Sequence, residues 1–132
     1  MADDRRDVIR VNIPSIVRTN PSPQDIEYTA ERSHLAIRGG CTAAFGISVH
    51  GQERAVVVAE LRDAFRGDPD SVAYALRTAI AEEHQIILYD VVLVPARTIP
   101  RTTDGKIRRS ETRDRYLTGW LVPWYAPAPR TR

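Results

Sequence analysis

The spacing of apolar and polar positions changes several times along the chain, and each change marks an element. Residues 1–6 are mostly charged and read as an arm, whereas Asp7-Val8-Ile9-Arg10-Val11-Asn12 alternates enough to predict a short strand. Pro14, Pro21 and Pro23 then interrupt regular structure. Residues 24–32 read as a helix, with Pro23 in its first turn and acidic groups near the positive end of its dipole. Gly39-Gly40 is expected to close this unit. Residues 41–49 and 54–61 are β-prone runs separated by His50-Gly51-Gln52-Glu53, which predicts a hairpin. The unbroken Val56-Val57-Val58 run offers no polar face, so its strand belongs in the middle of a sheet covered on both sides.

A second amphipathic stretch follows. Asp68-Pro69 supplies an N-cap and a first-turn proline, and Val72, Leu76, Ala79 and Ile80 recur on one face to about Glu83. Glu82 and Glu83 are neighbours that do not face each other, which excludes a paired-carboxylate site there. His84 comes next, placed to favour the helix C-terminal dipole. Asp90-Val91-Val92-Leu93-Val94 predicts a buried strand ended by Pro95, and Ser110 is the expected cap of a last helix over 111–117, stopped by Gly119. The expected fold is α+β, a small mixed or antiparallel three-stranded sheet with a central hairpin, packed with about three helices. It occupies residues 20–119, between an arm and linker over 1–19 and a proline-rich tail over 120–132. Trp120, Leu121, Val122, Trp124 and Tyr125 in that tail are expected to pack back on the domain or remain extended, in preference to forming a partner site.

Composition narrows the functional classes. With 132 residues and 42% hydrophobic content, the chain is large enough for one core and too short for two catalytic lobes. Its one cysteine, Cys41, excludes an internal disulfide and reads as a buried strand residue, because no histidine partner can be placed beside it. His34, His50 and His84 lack metal-ligand spacing, so no metal site is expected. The start is charged and no window holds the roughly 18 apolar residues of a membrane span, which predicts a cytoplasmic protein. Net charge is only +2, and the basic residues of 97–115 lack interleaved aromatics, so nucleic acid is not an expected partner.

One residue stands apart. Of the 19 Lys plus Arg residues, only Lys106 is lysine, in the segment Pro100-Arg101-Thr102-Thr103-Asp104-Gly105-Lys106-Ile107-Arg108-Arg109. Lysine is a compact point charge on a flexible stem, able to enter a narrow site that the planar arginine fork does not fit. Gly105 tolerates positive φ, and the Thr-Thr-Asp run forms local turn bonds, so the segment alone reads either as a mobile loop presenting one ammonium or as a solvated basic turn whose lysine is an accident of composition.

Residues 90–95 followed by Thr98-Ile99-Pro100 and this loop resemble the lysine loop, with its preceding strand, of the C-terminal domain of acyl-adenylate-forming enzymes. Pro23-Gln24-Asp25-Ile26-Glu27, Gly40-Cys41-Thr42-Ala43-Ala44-Phe45 and Asp114-Arg115-Tyr116-Leu117 resemble fatty acyl-AMP ligases in particular, with acyl-CoA synthetases sharing most of the domain. The resemblance implies that Lys106 is the catalytic residue, supported by Pro100, Arg101, Thr102, Thr103, Asp104 and Gly105, and that Asp7 stands at the interdomain hinge. It also implies ATP, AMP and Mg2+ for the complete enzyme and none bound by this domain alone. The implied partner is an N-terminal adenylation domain, in trans or missing from the chain, whose phosphate loop and acyl pocket have no counterpart in this sequence; alone, the chain is not expected to adenylate anything. An acyl carrier protein is a further implied partner, with Arg97, Arg101, Arg108, Arg109, Arg113 and Arg115 as docking candidates. From another class, a noncatalytic domain that binds a carrier protein or a synthetase and regulates it fits the same arginines.

Overall fold

The computed structural model describes residues 21–124. The expected arm, the strand over 7–12, the hinge candidate Asp7 and the tail beyond Trp124 lie outside the described residues. The elements run α1 (Pro23–Glu31), β1 (Ile37–Val49), β2 (Gln52–Leu61), α2 (Pro69–His84), β3 (Asp90–Val94) and α3 (Arg109–Thr118). Three helices around a mixed three-stranded sheet give the expected α+β architecture.

Local chemistry explains the element ends. Ser22 caps α1 reciprocally with Asp25: the Ser22 hydroxyl accepts from the Asp25 N–H at 3.1 Å and the Asp25 carboxylate accepts from the Ser22 N–H at 3.2 Å. Asp68 caps α2 as expected, accepting from the Asp70 N–H at 3.0 Å. His84 is the last residue of that helix, and its Nε2 lies 2.8 Å from the Thr29 hydroxyl, tying α2 to α1. His50 and Gly51, at φ 51° and 78°, make a two-residue turn, so Gln52 and Glu53 begin β2 where a longer turn was expected.

Two boundaries differ from the sequence expectation. Gly39-Gly40 lies inside β1 and does not close the first unit: Ile37 sits opposite Leu61 while Thr42 sits opposite Ala59, so the intervening residues bulge from the ladder. Gly40, at φ 72°, supplies the left-handed step, and its N–H is taken up by the Glu31 carboxylate. Ser110 does not cap α3. The helix begins at Arg109 after an extended Arg108, whose backbone is fixed there because its N–H donates to the Pro100 carbonyl at 2.8 Å. Gly119 ends α3 as expected.

In the sheet order β1-β2-β3, β2 is antiparallel to β1 and parallel to β3. Alternation along β2 feeds two cores. Val57, Ala59 and Leu61 join Ile26, Ala30, Leu76 and Ile80 from α1 and α2. Val56 and Val58 join Val94 and Ile99, with Ile107, Tyr116 and Leu121 packed against them. The valine run is apolar throughout because both its faces are covered, each side chain contributing about 1.5–3 kcal/mol. At the end of β3, the Trp124 N–H donates to the Leu93 carbonyl at 2.7 Å and its ring packs edge-on against Phe65 with centroids 5.1 Å apart. The expected back-packing therefore holds for Leu121 and Trp124, while Trp120 and Val122 stay exposed. No helix of the described residues is long and apolar enough to cross a membrane.

Candidate functional site

β3 passes Pro95 and Arg97, which adopts φ 69°, and enters the lysine segment. The segment, expected as a loop with local turn bonds, forms a closed miniature hairpin. Arg101 bridges Ile107, the Thr102 N–H donates to the Lys106 carbonyl at 2.8 Å, and the Gly105 N–H donates to the Thr102 carbonyl at 3.0 Å. The Lys106 N–H donates to the Thr102 hydroxyl at 3.1 Å, and that hydroxyl donates to the Asp104 carboxylate. Gly105 turns the tip at φ 91°, a left-handed conformation that most side chains resist. Ile99 is buried and Ile107 partly so, which pins both legs to the sheet face bearing Val56 and Val58.

This geometry leaves Lys106 exposed beside an open groove of about 560 Å3, across which lie Gln24, Tyr28 and Glu31 of α1. Among the described residues no carboxylate comes within 4.0 Å of its ammonium. The turn's own acid, Asp104, is turned toward Thr102. Among the described residues the cation is thus carried, without a carboxylate partner, on a backbone closed by its own hydrogen bonds.

Two buried carboxylates brace the hairpin. Glu60, fully buried at the end of β2, accepts the Ile99 N–H at 2.9 Å and pairs with Arg38 at 2.7 Å, with Arg101 3.8 Å away. Arg101 also touches the sulfur of Cys41, which is the buried strand residue expected. On the other side, Glu27 of α1 takes both Nε and Nη2 of Arg109 at 2.7 and 2.9 Å and also the Ala44 N–H of β1 at 2.8 Å. These hydrogen bonds hold the Arg109 guanidinium even further above its ordinary pKa, against the opposing effect of burial. Sequence reasoning missed Glu27, Arg38 and Glu60. The available signal was a glutamate placed within the apolar run of a central strand.

The arginines differ in what they have free. Arg97 forms a bidentate, exposed pair with Asp63 at 3.0 Å; that hydrogen bonding is the largest influence on both groups, lowering the Asp63 pKa and raising that of Arg97. Arg108 and Arg115 both approach Glu111, at 3.8 and 2.9 Å, and Arg113 lies 3.9 Å from its neighbour Asp114. Arg108 and Arg113 remain half exposed, whereas Arg109 is committed to Glu27. Among the described residues no group of three or more His, Cys, Asp or Glu is placed to hold a metal ion.

Residues 16–123 match the family model described as Disco-interacting protein 2-like, AMP domain. The chain belongs to this family. It is 40% identical over 109 residues to the medium-chain-fatty-acid acyl-carrier-protein ligase JamA of Moorena producens, covering 81% of this chain and 18% of that protein. A long-chain-fatty-acid AMP ligase of Mycobacterium marinum is 35% identical over 123 residues, covering 77% of this chain and 20% of that protein. The crystal structure of a fatty acid AMP ligase from Legionella pneumophila superposes with a TM-score of 0.64 at 31% identity, over 76% of this chain and 18% of that one. The chain therefore spans about a fifth of the length of these relatives, and within that span it has the fold of a fatty acyl ligase's AMP domain.

Proposed function

We propose that this domain supplies Lys106 to fatty-acid activation, acting on a substrate site built by an adenylation lobe on the same or another polypeptide. The observation that supports this reading is the exposed Lys106 ammonium, unpaired among the described residues, on a hairpin whose backbone is closed by its own hydrogen bonds. In acyl-adenylate formation a fatty carboxylate attacks the α-phosphate of ATP, so two anions approach and negative charge spreads over the phosphate oxygens. An ammonium placed between carboxylate and phosphate offsets that repulsion and holds the reactants in line. Lysine suits this task because its point charge reaches several oxygens at once. On this reading nucleotide and Mg2+ contacts belong to the adenylation lobe. The test is to mix the chain with an adenylation lobe, ATP and a fatty acid and to measure acyl-AMP. The chain should raise the rate, and an equal rate with Lys106→Ala would overturn the proposal.

A second reading, docking of an acidic acyl carrier protein, is favoured by the half-exposed Arg108, just before α3, and Arg113 in its middle. Titration with a carrier protein should shift their NMR signals, and an unchanged 97–115 region would count against it.

A further inference from the structure

We infer that Glu60 is a positioning residue for Lys106, setting the hairpin's place on the sheet through its entry strand; this rests on the reading of Lys106 as the activating cation. Alternation along β2 puts Glu60 on the same face as Val56 and Val58, the face on which the hairpin lies. A glutamate there is costly unless its charge and its oxygens are fully engaged. Its side chain is fully buried, and what engages it is the hairpin's entry. One oxygen accepts the Ile99 N–H at 2.9 Å; the other meets Arg38 at 2.7 Å, and Arg101 stands 3.8 Å off. Ile99 and Arg101 flank Pro100, and Pro100 accepts the Arg108 N–H that closes the hairpin base. From there the Arg101–Ile107 bridge and the Thr102–Lys106 hydrogen bond carry the placement to Lys106.

The carboxylate thus joins three elements: the β1 bulge through Arg38, the end of β2, and the hairpin. Arg38 binds the oxygen that does not accept the Ile99 N–H, which separates its role from that of the Ile99 contact. Loss of the Arg38 pair should weaken the domain without selectively releasing the hairpin. Loss of the Glu60 charge should release the hairpin first.

The experiment uses the full chain and amide hydrogen exchange followed by NMR. Glu60→Gln should speed exchange of the Thr102 and Arg108 amides at least about tenfold while Val57, in the centre of β2, keeps its protection, because local openings are distinct from global unfolding. Arg38→Met should lower the thermal midpoint and leave the ratio of Thr102 to Val57 exchange unchanged. Uniform acceleration across both regions in Glu60→Gln, no acceleration at all, or equal hairpin release in Arg38→Met would each overturn the assignment. If Glu60→Gln does not fold, Glu60→Asp, which keeps the charge but withdraws it from Ile99, is read in its place; failure of both to fold also overturns it, marking Glu60 as a general stability residue. With an adenylation lobe present, Glu60→Gln should lower kcat about tenfold at unchanged KM for ATP, as expected for a displaced catalytic group. In a Lys106→Ala background the same change should have no further effect. Hydrogen exchange decides the positioning role even if Lys106→Ala proves fully active, so the two proposals fail separately.

Discussion

The carboxylate of Glu27 and the guanidinium of Arg109 meet through two parallel hydrogen bonds of 2.7 and 2.9 Å, joining α1 to the first residue of α3 across 82 positions of sequence. The same carboxylate receives the outward-pointing Ala44 N–H of β1, an edge strand. Glu27 therefore satisfies a backbone donor that no neighbouring strand can reach, and Arg109 neutralises the charge so buried. Removing the acid should strand both donors. Glu27→Ala should cost about 3 kcal/mol in urea unfolding, the scale for breaking a largely buried pair. Arg109→Met should cost less, since Glu27 keeps the Ala44 contact, and a double-mutant cycle should return a clear coupling between the two.

Trp124 should report the tail's attachment. Its N–H bonds to Leu93 on the open edge of β3 and its ring lies against Phe65, whereas Trp120 is 77% exposed. Trp124→Ala should cost about 1–2 kcal/mol, allowing for partial burial and the aromatic contact. Trp120→Ala should leave stability within about 0.5 kcal/mol. Thermal unfolding of both variants checks the contrast; an equal loss from each would show that the tail is not held through Trp124.

The central hairpin, both major helix starts and the third strand, buried at Leu93 and Val94, were legible because each is dictated locally. Asp68-Pro69, the Gly51 turn and the Val56-Val57-Val58 run specify their conformations with little help from distant residues. The β1 bulge was not legible in this way. Gly39-Gly40 reads as a terminator in one dimension, and only the Glu31 carboxylate and the return of Thr42 to the ladder show that the strand continues. Ser110 misled for a similar reason: the helix start is set by the Arg108–Pro100 hydrogen bond, a contact between the two legs of the hairpin. For the candidate site, the position of Lys106 could be read from its segment. Its bracing could not, because Glu60, Arg38 and Glu27 act from elements up to 82 residues away.

Lys106 itself should be separable from stability. Its side chain is exposed and no carboxylate among the described residues pairs with it, so Lys106→Ala should change unfolding free energy by no more than about 0.5 kcal/mol. In an assay reconstituted with an adenylation lobe, the same change should lower acyl-AMP formation at least about 100-fold, the scale of one lost charge stabiliser. Lys106→Arg should also be impaired, because the wider fork does not replace a point charge reaching several oxygens. Rate and unfolding measurements on the same preparations check this, and full activity of the arginine variant would refute the requirement for lysine.

Alkaline stability should depend on Tyr116. Its hydroxyl donates to the Asp90 carboxylate at 2.8 Å, and its pKa is pushed up to about 12, chiefly by burial and then by that hydrogen bond and the nearby negative charge. The unfolded chain releases this proton near pH 10, so between about pH 10 and 12 the folded state binds more protons than the unfolded one. Stability must then fall as pH rises through that window, and the contribution is fully present below it. With the ring partly exposed, about 1–2 kcal/mol of the stability at neutral pH should disappear by pH 12 through this group. Tyr116→Phe should cost about 1 kcal/mol at pH 7, leave the Asp90 carboxylate without its partner, and flatten the alkaline slope. Unfolding of both proteins from pH 8 to 12 measures the difference, and parallel slopes would show that Tyr116 does not control the alkaline limb.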